Sequence, residues 1–125
     1  MNLRPELGSG PLDAGLWVIG RDYGAEEQAR SAPFVGPAGG VLTSALKTAG
    51  VDRQYVRIDN LVPGQPPGNA FAVHRLEDVV WGKARLAALL GAHRPRVVVA
   101  LGNEVAKFLL GDLWPTGEGI QDVRG

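Results

Sequence analysis

A three-layer α/β domain with a small parallel sheet is the fold class this sequence predicts, and three observations predict it. Short apolar runs ending in glycine or a polar residue alternate with segments of helical periodicity. Strands and helices taken in turn produce right-handed crossovers and a parallel sheet covered on both faces. Eighteen glycines and nine prolines are more than a fifth of the 125 residues, against an average near 12%, yet they gather between the periodic segments and not within them. The 45% hydrophobic and 21% charged residues complete the picture of one globular domain.

Residues 1–15 are rich in glycine and proline, without periodicity, and read as an irregular N-terminal segment ahead of a domain over 16–125. Leu16-Trp17-Val18-Ile19 is an apolar run closed by Gly20, the pattern of a strand buried on both faces. A long loop over 21–40 holds Pro33, Gly36, Pro37, Gly39 and Gly40 and contains a short 25–30 segment with Glu26 and Glu27 in a first helical turn. Val41, Leu42, Ala45, Leu46 and Ala49 then predict a helix over 39–49, stopped by Gly50. Tyr55–Asn60 reads as the second strand, followed by an irregular loop that Pro63, Pro66, Pro67 and Gly68 enforce. Leu76, Val79, Val80, Lys83, Leu86, Ala87 and Leu90 predict a helix over 75–92. Val97–Leu101, closed by Gly102, is the third strand, and a short helix over 103–110 stops at Gly111.

Composition excludes several function classes. Thirteen basic against thirteen acidic residues rule out a broad cationic field as the main hold on nucleic acid, while leaving room for a local basic groove. Zero cysteines exclude disulfides, thiolate clusters and a cysteine nucleophile. His74 and His93 stand outside any zinc-ligand spacing and read as helix-end or surface residues, so no metal is expected. No phosphate-loop or dinucleotide motif follows a strand, which weighs against a small nucleotide-binding protein. Apolar stretches are too short to span a membrane, and no signal segment opens the chain; a cytoplasmic location is expected. Parallel strands bring their C-terminal ends to one edge, where ligands of open α/β sheets bind. The loops after Gly20, Asn60 and Gly102 therefore nominate a site.

Those loops carry Gly20-Arg21-Asp22-Tyr23-Gly24, Pro33-Phe34-Val35-Gly36-Pro37-Ala38-Gly39-Gly40, Asp59-Asn60 and Pro66-Pro67-Gly68-Asn69, and the later blocks are Ala100-Leu101-Gly102 and Leu109-Leu110-Gly111. In order and spacing the set resembles the uracil-DNA glycosylase superfamily, and its iron–sulfur branch above all, over about residues 16–125. That branch has Gly-Glu-Ala-Pro-Gly in the first loop, so Arg21 replaces its Glu; Asp22 falls where another branch carries its water-activating Asp. The cluster cysteines are absent, so the resemblance implies no iron–sulfur cluster and no cofactor. The sequence ends at Val123-Arg124-Gly125, where members continue into a further strand and a His-Pro-Ser loop. The expectation is a sheet lacking that last strand, with an unpaired edge and an apolar face, weakly stable or self-associating by itself.

The resemblance implies hydrolysis of the bond joining uracil to deoxyribose in single- or double-stranded DNA. Asp22 would orient water and stabilise the cationic sugar, with Glu27, aligned with a site-proximal Glu, in reserve. Phe34 would stack on the flipped base, Asn60 would read uracil O4 and N3–H through its side-by-side donor and acceptor, Gly20 would line the base site, and Tyr23 would abut C5. Gly36, Gly39 and Gly40 with the following helix N-terminus would approach DNA phosphate, as would Arg75. Lys83, Arg85, Arg94, Arg96 and Lys107 read as a solvated helix face. Each role has a plainer competitor: Asp22 paired with an arginine, Phe34 a loop anchor, Asn60 a turn former, the glycines an ordinary turn. The alternative function is a non-catalytic glycosylase-like module that binds DNA or accompanies a polymerase.

Overall fold

The computed structural model describes residues 2–113. Strands β1 (Leu16–Gly20), β2 (Arg57–Asn60) and β3 (Val97–Ala100) form one parallel sheet in the order β2-β1-β3. Helices α1 (Ala25–Arg30), α2 (Pro37–Thr48), α3 (Leu76–His93) and α4 (Asn103–Lys107) lie between and after them. The α/β class with a small parallel sheet is the one the sequence predicts. β1 is central because it is apolar on both faces. Trp17 and Ile19 join Leu86, Leu89 and Leu90 of α3 and Val105 of α4, whereas Val18 joins Leu46 of α2, Val56 and Ile58. Such a strand is satisfied only between two helical layers.

Several boundaries differ from expectation for local reasons. β2 starts at Arg57 because Arg53–Tyr55 form a tight turn, capped by the Asp52 carboxylate accepting from the Gln54 N–H at 3.0 Å. α2 starts at Pro37, whose fixed backbone suits a first helical position. The last helix does not stop at Gly111 but widens into a π-type turn over Phe108–Leu113.

α3 buries the face that Leu86 and Leu90 outline, but the stripe is shifted at its N-terminal end. Gly82, Arg85, Leu86, Leu89 and Leu90 face inward, while Leu76 and Val80 are exposed. Gly82 marks a close approach, since a side chain there would collide with the Leu61 carbonyl. Arg85, read from the sequence as solvated, is instead wholly buried.

β3 takes an outer place in the sheet, and among the described residues nothing covers Val97 and Val99, which are exposed. The sequence reads all of Val97–Leu101 as buried. The expectation about a missing strand beyond Val123-Arg124-Gly125 lies outside the described residues.

The N-terminal segment has little regular structure, yet it is tied down. Ser9 forms an isolated antiparallel bridge to Ile58, with both hydrogen bonds at 2.8 Å. Arg57 donates to the carbonyls of Pro5 and Gly10, and Arg85 to those of Leu3 and Arg4. Both arginines also grip the Asp59 carboxylate, at 2.8 Å from Arg57 and at 2.8 and 3.1 Å from Arg85, with all three side chains inaccessible to solvent or nearly so.

Candidate active site

Parallel pairing places the ends of β1 and β2 side by side, with Gly20 opposite Asn60 as the last registered pair. The pairing then continues into the loops. Leu61 donates its N–H to the Gly20 carbonyl at 2.9 Å, Val62 to Arg21 at 3.0 Å, and Tyr23 to Gly64 at 3.0 Å. The two loops thus share the C-terminal edge of the sheet, where α/β proteins place ligands.

Asn60 is 1% exposed, and among the described residues neither Oδ1 nor Nδ2 has a hydrogen-bond partner. Each buried orphan of this kind costs about 1–3 kcal/mol. Phe34 stands beside it. A methyl group on Gly20 would lie 2.6 Å from Phe34 Cζ and 2.7 Å from Asn60 Oδ1, so the three residues converge and only glycine fits at position 20. Phe34 also has φ of 52°, a left-handed conformation that an aromatic residue adopts only when its surroundings impose it.

The surroundings are identifiable. Gly39 lets α2 close onto the Phe34 carbonyl, which a side chain there would strike. Arg53 braces the loop, donating to the Pro33 carbonyl at 3.0 Å, the Gly39 carbonyl at 3.3 Å and Thr43 Oγ1 at 3.1 Å. Nothing in the sequence singled out Arg53 for this task.

Glu27 organises the same loop from the other side. Its Oε1 accepts from the Gly24 N–H at 3.1 Å, and its Oε2 from Val35 at 2.9 Å and Gly36 at 2.6 Å. With both oxygens engaged, Glu27 holds the backbone around Phe34 and has no oxygen set aside for water. Burial alone would raise its carboxyl, but the N–H groups of Gly36, Glu27, Val35 and Gly24 together hold it below the ordinary value of 4.5. A carboxylate lowered by folding stabilises above its unfolded pKa, and that contribution fades as pH falls through the folded value. Glu27→Gln is therefore expected to unfold at lower urea than the wild type near neutral pH, and the gap should narrow and close as pH falls below the ordinary value of 4.5 and through the lower folded one. Urea midpoints across that range check it; a gap independent of pH overturns it.

Asp22 lies two residues beyond Gly20, its side chain 9% exposed. Its Oδ2 accepts from Arg21 Nε at 3.0 Å and meets His74 Nε2, also at 3.0 Å. The pairing with arginine weighed from the sequence is therefore present, together with a histidine partner that the sequence did not signal. His74 is not on the surface: its side chain is 5% exposed, edge-on to the Phe71 ring at 5.3 Å. Arg21 lies over Phe71 at 5.7 Å and donates to the Asn69 carbonyl at 2.9 Å. Arg75, next to His74, is exposed and pairs with Glu77.

Two sequence expectations are corrected by these contacts. Tyr23 does not turn its ring to a base beside Asn60. It is buried with its hydroxyl donating to the Leu7 carbonyl at 2.5 Å, and burial, reinforced by the Asp59 charge, pushes its phenol up to about 12. The Leu7 contact ties the ring to the N-terminal segment, which Arg57 and Arg85 also hold. Nor do the glycines offer free N–H groups to phosphate. The Gly36 N–H is taken by Glu27, and those of Gly39 and Gly40 donate to the Gly36 carbonyl at 2.9 and 3.3 Å. Gly39 serves close packing instead, and Gly40 has open space around it.

Comparison with known proteins places the chain in a family. The sequence model of the uracil DNA glycosylase superfamily matches residues 7–121. A type-4 uracil-DNA glycosylase of Pyrobaculum aerophilum is 36% identical over 118 residues, covering 94% of this chain and 59% of that protein. The type-4 enzyme of Thermotoga maritima is 36% identical over 104 residues, covering 83% of this chain and 53% of its own length. The chain thus spans a little over half the length of these relatives. With the superfamily's model matched from Leu7 to Gln121, the chain belongs to the uracil-DNA glycosylase superfamily.

Proposed function

We propose that this chain recognises uracil flipped out of DNA and hydrolyses its bond to deoxyribose. The observation that carries the reading is the buried, unpartnered amide of Asn60 beside the Phe34 ring. Uracil presents the O4 acceptor and N3–H donor that such an amide can satisfy together, whereas cytosine presents the opposite pattern. Phe34 supplies a face for stacking, worth about 1–3 kcal/mol per base. A flipped nucleotide seated this way directs its sugar outward from the sheet edge, and of the carboxylates on the adjoining loop Asp22, unlike Glu27, is not committed to backbone amides.

As the C1′–N1 bond breaks, its electron pair leaves with the uracil ring and positive charge builds on the sugar. Asp22 stabilises that charge. It also orients a water whose oxygen bonds to C1′ while its proton passes to the Asp22 carboxylate and from there to the departing uracil anion. No metal or cofactor enters these steps.

The test compares binding and release. Fluorescence anisotropy with a uracil-containing single-stranded oligonucleotide, against the same strand with cytosine, is expected to show preference for uracil, and chromatography should detect free uracil. Asn60→Asp should reduce that preference by about 5–150-fold, the range set by 1–3 kcal/mol of discrimination. Equal binding of both strands by the wild type overturns the reading. Preference for uracil without release favours the non-catalytic module instead.

A further inference from the structure

We propose that His74 is a positioning residue for Asp22, holding one carboxylate oxygen so that the other faces the reaction. The inference rests on the functional reading above and deepens it. An ionised carboxylate only accepts hydrogen bonds, so at 3.0 Å from Asp22 Oδ2 the His74 Nε2 carries the hydrogen and donates it. Arg21 Nε donates to that same oxygen at 3.0 Å. Among the described residues no hydrogen bond reaches Oδ1. Two donors on one oxygen fix the plane of the carboxylate and leave the second oxygen as its working face.

The histidine is itself held. Its side chain is 5% exposed, its ring meets Phe71 at an interplanar angle of 80°, and its backbone N–H donates to the Phe71 carbonyl at 3.1 Å. Phe71 in turn lies beneath the Arg21 guanidinium, whose Nη2 fastens the Asn69 carbonyl. Arg21 thus holds Asp22 from its own loop, and His74 holds it from a loop 52 residues further along the sequence. A histidine serving merely to latch the 69–74 loop would need any partner on the facing loop. Here the partner is the one carboxylate assigned to the chemistry, and the bond leaves that carboxylate with a single free oxygen. Orientation of this kind matters because displacement of a reacting group by about 1 Å is enough to lower a rate about a hundredfold.

The experiment is a double-mutant cycle on the whole chain. Single-turnover release of uracil from a single-stranded oligonucleotide is measured for the wild type, His74→Ala, His74→Gln, Asp22→Asn and the Asp22→Asn/His74→Ala pair. Anisotropy gives affinity for each. His74→Ala is expected to slow release about a hundredfold with affinity within about twofold. His74→Gln, whose amide nitrogen can occupy the place of Nε2, should recover most of the loss even where the alanine variant loosens the loop. In the Asp22→Asn background, removing His74 should slow release no further, because its effect runs through the carboxylate. Additive losses, or affinity falling in step with the rate, mark a structural latch and overturn the proposal. Release unchanged in His74→Ala overturns it too, leaving the functional reading intact. A wild type that binds uracil but releases none overturns the functional reading, and the role of His74 with it.

Discussion

Asp59→Ala is expected to destabilise the fold by about 3–5 kcal/mol, the effect of removing one partner from a buried ion pair. The carboxylate is the shared anion of Arg57 and Arg85, and all three side chains are almost fully enclosed. Its loss leaves two guanidinium groups facing each other across a site they cannot leave, since each also grips the N-terminal segment. For a domain whose total stability is about 5–15 kcal/mol, that is a large fraction. The backbone N–H of Asn60 also donates to Asp59 Oδ1, at 2.8 Å, so the damage reaches the residue proposed to read uracil. The urea midpoint should fall accordingly, and limited proteolysis should cut within residues 2–15 before the sheet unfolds. Asp59→Asn, which keeps the shape and an acceptor but not the charge, should lie between. A midpoint equal to that of the wild type overturns this account of how the segment is held.

The strands and their polarity were legible because each strand ends in a local signal: Gly20 after an apolar run, Asn60 before a proline-rich loop, Gly102 after Ala100-Leu101. Local signals also placed Phe34 on a loop and Asn60 at a strand end, both at one edge, and the structure brings both to Gly20. Long-range pairings left no such trace. His74 has its partner 52 residues away and Arg85 has its partner 26 away, so each looks like a surface residue when read in its own neighbourhood. Arg85 even occupies a core-facing position of α3, where its charge hides the inward stripe that Leu86, Leu89 and Leu90 continue. For Tyr23 the residue type invited a role at the base, but nothing local fixes the direction in which a loop side chain turns. Its hydroxyl finds Leu7.

Glu27 shows how two carboxylates on one loop divide their tasks. Both precede Phe34, and by residue type alone either serves as the base. Hydrogen-bond inventory separates them, since Glu27 commits both oxygens to backbone amides while Asp22 commits one. The amides make Glu27 a scaffold for the strained Phe34 backbone, and a scaffold residue is silent in a pattern search because its partners are main chain.

Asp22→Asn is expected to slow uracil release by about 10²–10³, or about 3–4 kcal/mol of transition-state stabilisation. The amide oxygen can still accept from Arg21 Nε and His74 Nε2, so the loops around it should keep their arrangement. On the proposed function, what disappears is negative charge opposite a sugar that becomes cationic only as the bond to uracil breaks. An interaction made only in the transition state lowers turnover and leaves substrate binding nearly unchanged. Single-turnover release should therefore fall while anisotropy with the uracil-containing strand stays within about twofold, and the urea midpoint should move little. Glu27→Gln should behave differently, weakening binding and stability together because it loosens the loop beneath Phe34. If Asp22→Asn releases uracil at the wild-type rate while Glu27→Gln abolishes release at unchanged affinity, the reacting carboxylate is Glu27, and the single free oxygen of Asp22 has no part in the reaction.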